Sequence, residues 1–313
     1  MFKKLNLTTL IIVSGILVAV VIISQVISNY KGERNFKKQV FDTDTTKIST
    51  IIIKTKLAKQ ELELVKDGKD WNVLVKGKTY KAEKSIIRSM IMEIYNMRAE
   101  RLAAMDKPEW NTFQVTDSLA THVKVKQGNK IVADFLIGKF SYSQNPQKFN
   151  TFIRLSNENE VYAVNGFLAM TFNKQLNDVR NKALVDVHSA QITKLRFTYP
   201  ADSSFELVKV KNGWKINGQE ADSAKVAGYV NNLAHANGNE FVLDSIKSGL
   251  RIYSLKIEGN NFNPVEISAN IADTTYKYIV SSNINPEGRF SGLSSDLTNR
   301  IFVNKNRFLK DKK

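Results

Sequence analysis

The chain has 313 residues, 42% hydrophobic and 24% charged, with a formal net charge of +16 and no cysteine. That is material for two ordinary domains, each with its own core, and it excludes a chain disordered by composition. The missing cysteine excludes disulfide staples, thiol nucleophiles and thiolate metal sites, and is neutral about redox compartment. Five prolines, 15 glycines and no long low-complexity run require elements joined by short loops.

The amino-terminal stretch MFKKLNLTTLIIVSGILVAVVIISQVISNYKGERNFKK carries no charge from Leu7 to Ser28. At about 1.5 Å per residue, that run covers the ~30 Å hydrocarbon core of a bilayer. Lys3 and Lys4 ahead of it also fit the start of a cleaved signal peptide. No A-x-A site follows, Val26 and Ser28 make only a weak one, and without cysteine there is no lipoprotein route. Residues 1–30 are therefore expected to be a cytoplasmic tail and transmembrane anchor. Lys31, Arg34, Lys37 and Lys38 on the far side leave the charge rule undecided. The short basic tail stays inside easily while the long remainder is translocated, which places the soluble part in the periplasm. A polar linker over 31–45, containing FDTDTTK, would follow.

Beyond the linker the elements come in two rounds. ISTIIIKT at 48–55 and ITKLRFTY at 192–199 both put apolar residues at their first, fourth and sixth positions and read as strands. ELVKDGKDW at 63–71 and ELVKVKNGW at 206–214 agree at five of nine positions, and Asp67-Gly68 and Asn212-Gly213 are hairpin turn signals. Trp71 and Trp214 begin the returning strands, where they are expected to fill core against a helix; a ligand-stacking face is the alternative. Ile86, Ile87, Met90, Ile91, Ile94 and Met97 then recur at helical spacing. In the second round Asp222 is a candidate N-cap, with Val226, Tyr229, Val230 and Leu233 on one face.

Further on, THVKV at 121–125 parallels YSLKI at 253–257, FIRLS at 152–156 parallels FSGLS at 290–294, and VYAVNGFL at 161–168 parallels IFVNKNRFL at 301–309. Collinearity over this length predicts two related α+β units, residues 46–187 and 188–313, each a mainly antiparallel sheet packed with an amphipathic helix.

Anchor, hairpin Trp, helix, and a strand block closing on NEVYAV and FNKQLNDVRNKALVD before a second round together resemble the bacterial domain-of-unknown-function 4340 family. Arg180 and Lys182, ahead of the junction, belong to that pattern, and the second round departs from it by lacking an equivalent of residues 172–184. The resemblance implies an envelope protein encoded beside ABC-type export components of the kind linked to gliding motility. It supplies no catalytic residues.

Chemistry-bearing motifs are sparse. His122, His188 and His235 lie far apart, none with a second ligand at metal spacing, and each reads as a surface or core residue. Asp42 and Asp44 lack the glycine and closing glutamate of a calcium loop and read as solvated linker. There is no G-x-G-x-x-G, phosphate loop or G-x-S-x-G. A site assembled only by the fold stays open. No catalytic, cofactor or metal residue is assigned, no cofactor is expected, and any ligand is unknown.

Of the net charge, residues 1–38 hold +5 (six basic residues against Glu33) and residues 305–313 hold +4 (five against Asp311). Basic ends of this kind suit anionic lipid headgroups or envelope polysaccharide as well as ordinary solubility. With no recognised module, nucleic acid is not expected as a partner. The leading expectation is a non-catalytic, membrane-anchored accessory or scaffold protein of an ABC-type envelope transport assembly. The alternative is an envelope glycan-binding module, favoured if exposed aromatics such as Tyr142, Phe149 and Tyr276 share a groove; an enzyme with a dispersed site comes third.

Overall fold

The computed structural model describes residues 15–24, 39–56, 58, 60–144 and 147–310. In chain order the strands are β1 (Thr50–Lys54), β2 (Leu62–Asp67), β3 (Asp70–Val75), β4 (Lys78–Lys81), β5 (Ala99–Ala104), β6 (Thr121–Gln127), β7 (Lys130–Gln144), β8 (Gln147–Leu155) and β9 (Val161–Asn165). They continue as β10 (Ile192–Thr198), β11 (Phe205–Val210), β12 (Gly213–Ile216), β13 (Gln219–Glu220), β14 (Arg251–Gly259), β15 (Val265–Ile271), β16 (Tyr278–Ser282) and β17 (Asn285–Ser291). The helices are α1 (15–24), α2 (Lys84–Asn96), α3 (Trp110–Phe113), α4 (Leu168–Phe172), α5 (Leu176–Val179), α6 (Ser223–Leu233) and α7 (Leu297–Ile301). The fold is mixed α+β with two antiparallel sheets and mostly short helices. By its internal contacts the chain divides into two compact units, residues 1–61 with 89–174, and residues 62–88 with 175–313.

In the first unit the strands run β1-β6-β7-β8-β9-β5, every pair antiparallel. Alternation explains the burial: Ile51 and Ile53 on β1, and Val123 and Val125 on β6, are fully buried, and Ile53 lies opposite Val123 in the register. A smaller cluster of Val115, Phe152, Val161 and Ala163 is lined by Trp110 and Phe113 of α3.

The second unit holds the antiparallel ladder β4-β3-β2 and the sheet β13-β12-β11-β10-β14-β15-β16-β17. Its core gathers Leu195 and Phe197 of β10, Leu207 of β11, Trp214 of β12, and Leu255 and Ile257 of β14 under α6. Helix α6 begins as expected: Asp222 is the N-cap, its carboxylate accepting from the Ala224 and Lys225 amides, and Val226, Tyr229, Val230 and Leu233 are its buried face. Helix α2 likewise buries Ile87, Met90 and Ile94, with Met97 just past its end.

The two hairpins have the same register. Trp71 lies opposite Lys66 and Trp214 opposite Lys209; the Ala82 amide donates to the Trp71 carbonyl at 2.8 Å, and the Ala221 amide to the Trp214 carbonyl at 2.9 Å. Both Trp side chains are 8% exposed, which places each in the core rather than on an open face. THVKV and YSLKI fall on β6 and β14, each paired with the strand that opens its round.

Two other sequence matches join unlike elements. FIRLS lies on β8 but FSGLS ends β17, and VYAVNGFL covers β9 whereas IFVNKNRFL runs from the end of α7 into a 3-10 turn. Strand order instead makes β17 the counterpart of β9, each the last strand of the meander in its round. Alternating apolar residues look alike on any strand, so the matches slipped by an element. The missing counterpart of residues 172–184 is also present in part. Residues 301–310 repeat the path of 172–181, because the Glu83 amide donates to the Val179 carbonyl and the Asp222 amide to the Phe308 carbonyl, both at 2.8 Å, with Val179 and Phe308 fully buried.

Residues 15–24, inside the expected span, are helical, with Ile16, Leu17, Val18 and Ile22 each more than half exposed. The rest of that span, and Lys31, Arg34, Lys37 and Lys38, lie outside the described residues. Among the described residues no helix is long and apolar enough to cross a membrane.

Candidate functional site

Strands β6, β7 and β8 bring together a set the sequence did not announce. His122 Nε2 lies 2.6 Å from Asp134 Oδ1 and 3.2 Å from Ser156 Oγ, and the Ser156 hydroxyl itself donates to Asp134. Serine, histidine and aspartate are the residues of acyl-transfer catalysis, but their wiring differs here. Activation needs the carboxylate on one ring nitrogen and the hydroxyl on the other, so that the imidazole can take the hydroxyl proton. In this set both partners share Nε2, and the carboxylate holds the serine proton directly. The trio ties β6, β7 and the end of β8 together without the hydroxyl–imidazole–carboxylate relay.

The other histidines stay apart. His188 and His235 are exposed, and among the described residues no group of three or more candidate ligands could hold a metal ion. Asp42 is exposed. Asp44 caps the 3-10 turn Thr45–Lys47, accepting from the Thr46 hydroxyl at 2.6 Å and amide at 3.1 Å. The Thr46 hydroxyl and then Lys47 hold its carboxyl below the usual aspartate value.

Arg180 is 7% exposed and clasped between two rings, its guanidinium carbon 4.2 Å from the Tyr80 centroid and 3.9 Å from that of Phe241. Its Nη2 donates to the Glu287 carbonyl at 2.7 Å and its Nη1 to Asn177 Oδ1 at 3.4 Å. Burial pulls its pKa down from the ordinary arginine value, while Tyr80, Asp244 and Glu287 oppose the shift. Arg180 thereby fastens three stretches of the second unit. Lys182 is half-buried, its carbonyl accepting from the Gly238 amide at 2.8 Å.

The first unit also exposes an aromatic cluster built on the β7–β8 hairpin. Tyr142 lies opposite Phe149 in the register, with ring centroids 5.0 Å apart and nearly parallel. Phe140 stacks near Phe149, at 6.1 Å. Gly166, at φ +109°, turns the chain out of β9, its amide donating to the Phe149 carbonyl and its carbonyl accepting from the Thr151 hydroxyl. That turn lays Phe167 over both Phe140 and Phe149, at 4.9 Å from each. Phe140, Tyr142 and Phe167 remain 40%, 47% and 42% exposed, and nearby in sequence Met170 is 70% exposed. Tyr276 is not part of this surface; it is buried against Val242 and Ile279 in the second unit. Phe140 and Phe167 could have been found only by pairing the hairpin register with the bend at Gly166.

A mixed α+β chain with two antiparallel sheets and a clasped arginine ahead of its second round is what the fold and these residues define. The model of the family described as Domain of unknown function (DUF4340) matches residues 71–251, and the chain belongs to that family. No curated protein and no solved structure matches.

Proposed function

We propose that the protein is a non-catalytic accessory or scaffold subunit of an ABC-type envelope transport assembly. It is held in a bacterial cytoplasmic membrane by a single pass over residues 7–28, with its amino terminus inside and two related α+β units in the periplasm. The observation that carries this reading is the stacked cluster of Phe140, Tyr142 and Phe149 on the β7–β8 hairpin with Phe167 laid over it, three of whose rings, Phe140, Tyr142 and Phe167, are exposed. Contiguous exposed apolar surface marks an interaction site, and aromatics with methionine are enriched in interface cores. The anchor is supported by α1, whose exposed apolar side chains suit lipid, and the relatedness of residues 46–187 to 188–313 by the hairpin register that the two stretches share. Lys305 and Arg307 of the basic tail leave anionic lipid or envelope polysaccharide as secondary partners.

The test is co-purification of exporter permease subunits with the full chain from detergent-solubilised membranes. Phe140→Ser with Phe167→Ser should lower permease recovery at least fivefold without moving the melting temperature. Unchanged recovery, or no permease with the wild-type chain, overturns the reading. The glycan-binding alternative is favoured by the pairing of Tyr142 with Phe149 on that surface. Under it, Tyr142→Ser abolishes retention on envelope polysaccharide and leaves permease recovery unaffected.

A further inference from the structure

Between α6 and the chain that follows α7, the second unit opens a pocket of about 290 Å³. Tyr229, Leu233 and Ile301 give it an apolar wall and Asn232, Arg300 and Arg307 a polar one; no carboxylate lines it. The Tyr229 hydroxyl is taken by the Ile301 carbonyl at 2.6 Å, which leaves the ring to the pocket, and the Arg307 guanidinium carbon stands 5.8 Å from the ring centroid. Both arginines are exposed. Neither forms an ion pair among the described residues, and the bond from Arg300 to the Ser295 carbonyl is long at 3.5 Å.

The repeat shows that the fold does not demand these charges. Val179 and Phe308 hold equivalent places, so Arg307 is the counterpart of Asp178, whose carboxylate accepts from the Gln175 amide at 2.8 Å and caps α5. Helices α2 and α6 both begin two residues after the alanine that bonds its Trp carbonyl, which makes Asn232 the counterpart of Glu93. Two acidic positions of the first round are thus neutral and basic in the second. Two guanidinium groups facing one cavity without a counter-charge repel each other, and an anion between them turns that repulsion into attraction. The carboxyl end of α6 opposes the anion with about half a negative charge, less than the two arginines supply. Lys310 pairs with Glu220 beside the amino end of α6, about 15 Å of helix away from Asn232, so the chain leaves the described structure at the end of α6 opposite the pocket.

We propose that this pocket binds a phosphate group, free or carried on a lipid headgroup, held by the forked donors of Arg300 and Arg307 with the Asn232 amide at its rim. A carboxylate offers two oxygens and suits one guanidinium fork, whereas phosphate has oxygens enough for both. The wall of Tyr229, Leu233 and Ile301 takes the organic part of an ester. The proposal rests neither on the aromatic cluster, which belongs to the other unit, nor on the transport reading, so either can fail alone.

The probes are inorganic phosphate and the phosphodiester glycerophosphoglycerol, each titrated onto the full chain in a nonionic detergent and followed by phosphorus NMR. Saturable binding of at least one is expected. Tighter binding of the diester assigns the site to a lipid headgroup, and tighter binding of inorganic phosphate to the free ion. Arg300→Gln with Arg307→Gln should weaken binding by about tenfold or more. Arg300→Lys with Arg307→Lys keeps both charges but loses the forks, and should weaken it by roughly threefold or more. Lys211→Gln with Lys247→Gln removes the same charge from exposed positions outside the pocket and should leave binding unchanged. Each variant's melting temperature should match the wild type. No saturable binding of either probe, wild-type binding in either arginine double variant, or equal weakening in the lysine control would overturn the proposal, the last by showing attraction to net charge alone.

Discussion

Replacing Arg180 by methionine isolates what the clasp contributes. The hydrogen bond from a charged donor to the Glu287 carbonyl contributes about 1.5–3 kcal/mol. The contacts with Tyr80 and Phe241 contribute up to about 2 kcal/mol each where water is excluded. Against these stands the cost of burying a guanidinium, which methionine removes and which amounts to several kcal/mol. The balance for Arg180→Met is a loss of about 1–3 kcal/mol, while Arg180→Ala adds a cavity and should lose about 2–5 kcal/mol. Arg180→Lys keeps the charge but neither the planar stack nor the forked donors, so it should resemble methionine and not arginine. Guanidinium unfolding followed by Trp fluorescence measures all three, since Trp71 and Trp214 lie in the same unit as Arg180. Wild-type stability in Arg180→Met, or in Arg180→Lys, would show that the two-ring clasp is incidental.

Trp71→Ala and Trp214→Ala should each cost about 3–5 kcal/mol, and wild-type melting in both would move these rings to a binding surface. Gly238→Ala would set its new Cβ against the Phe290 ring and should cost about 1–3 kcal/mol; an unchanged unfolding midpoint would mean that the ring yields freely. Burial raises the pKa of Tyr199 and Tyr229, whose hydroxyls donate to the Val303 and Ile301 carbonyls at 2.9 and 2.6 Å. A raised folded pKa gives stability that is complete below the unfolded value of about 10 and is lost as pH climbs toward the folded one. Denaturation midpoints should therefore fall between pH 9 and 11, and fall less in Tyr229→Phe; identical slopes would refute the assignment.

The parts of the fold legible in the sequence are those with a strong local period. The paired hairpins could be read because a turn signal and a Trp recur at fixed distance, and α6 because Asp222 precedes a clean apolar stripe. The closing strands were misaligned because β8, β9 and β17 share one alternation, and only hydrogen bonding distinguishes them. Residues 301–310 were not recognised as the counterpart of 172–181, since what they share is a buried residue and one carbonyl, Val179 in one case and Phe308 in the other, not a sequence. Tyr276 illustrates the limit for a site. An aromatic in a polar stretch reads as exposed, yet Asp273 accepts from the Thr275 and Tyr276 amides and folds the ring inward.

The pairing of residues 62–88 with 175–313 bears on how the chain reaches its folded state. Lys78 meets Asp244 across 166 residues, and Lys81 meets the Ile284 carbonyl across 203. Closing such loops costs entropy before any contact is gained, and topologies rich in distant pairings fold slowly. The β4 edge of the early hairpin gains these two contacts only after most of the chain has been synthesised. Loss of residues 244–313 would therefore leave this early edge without either contact.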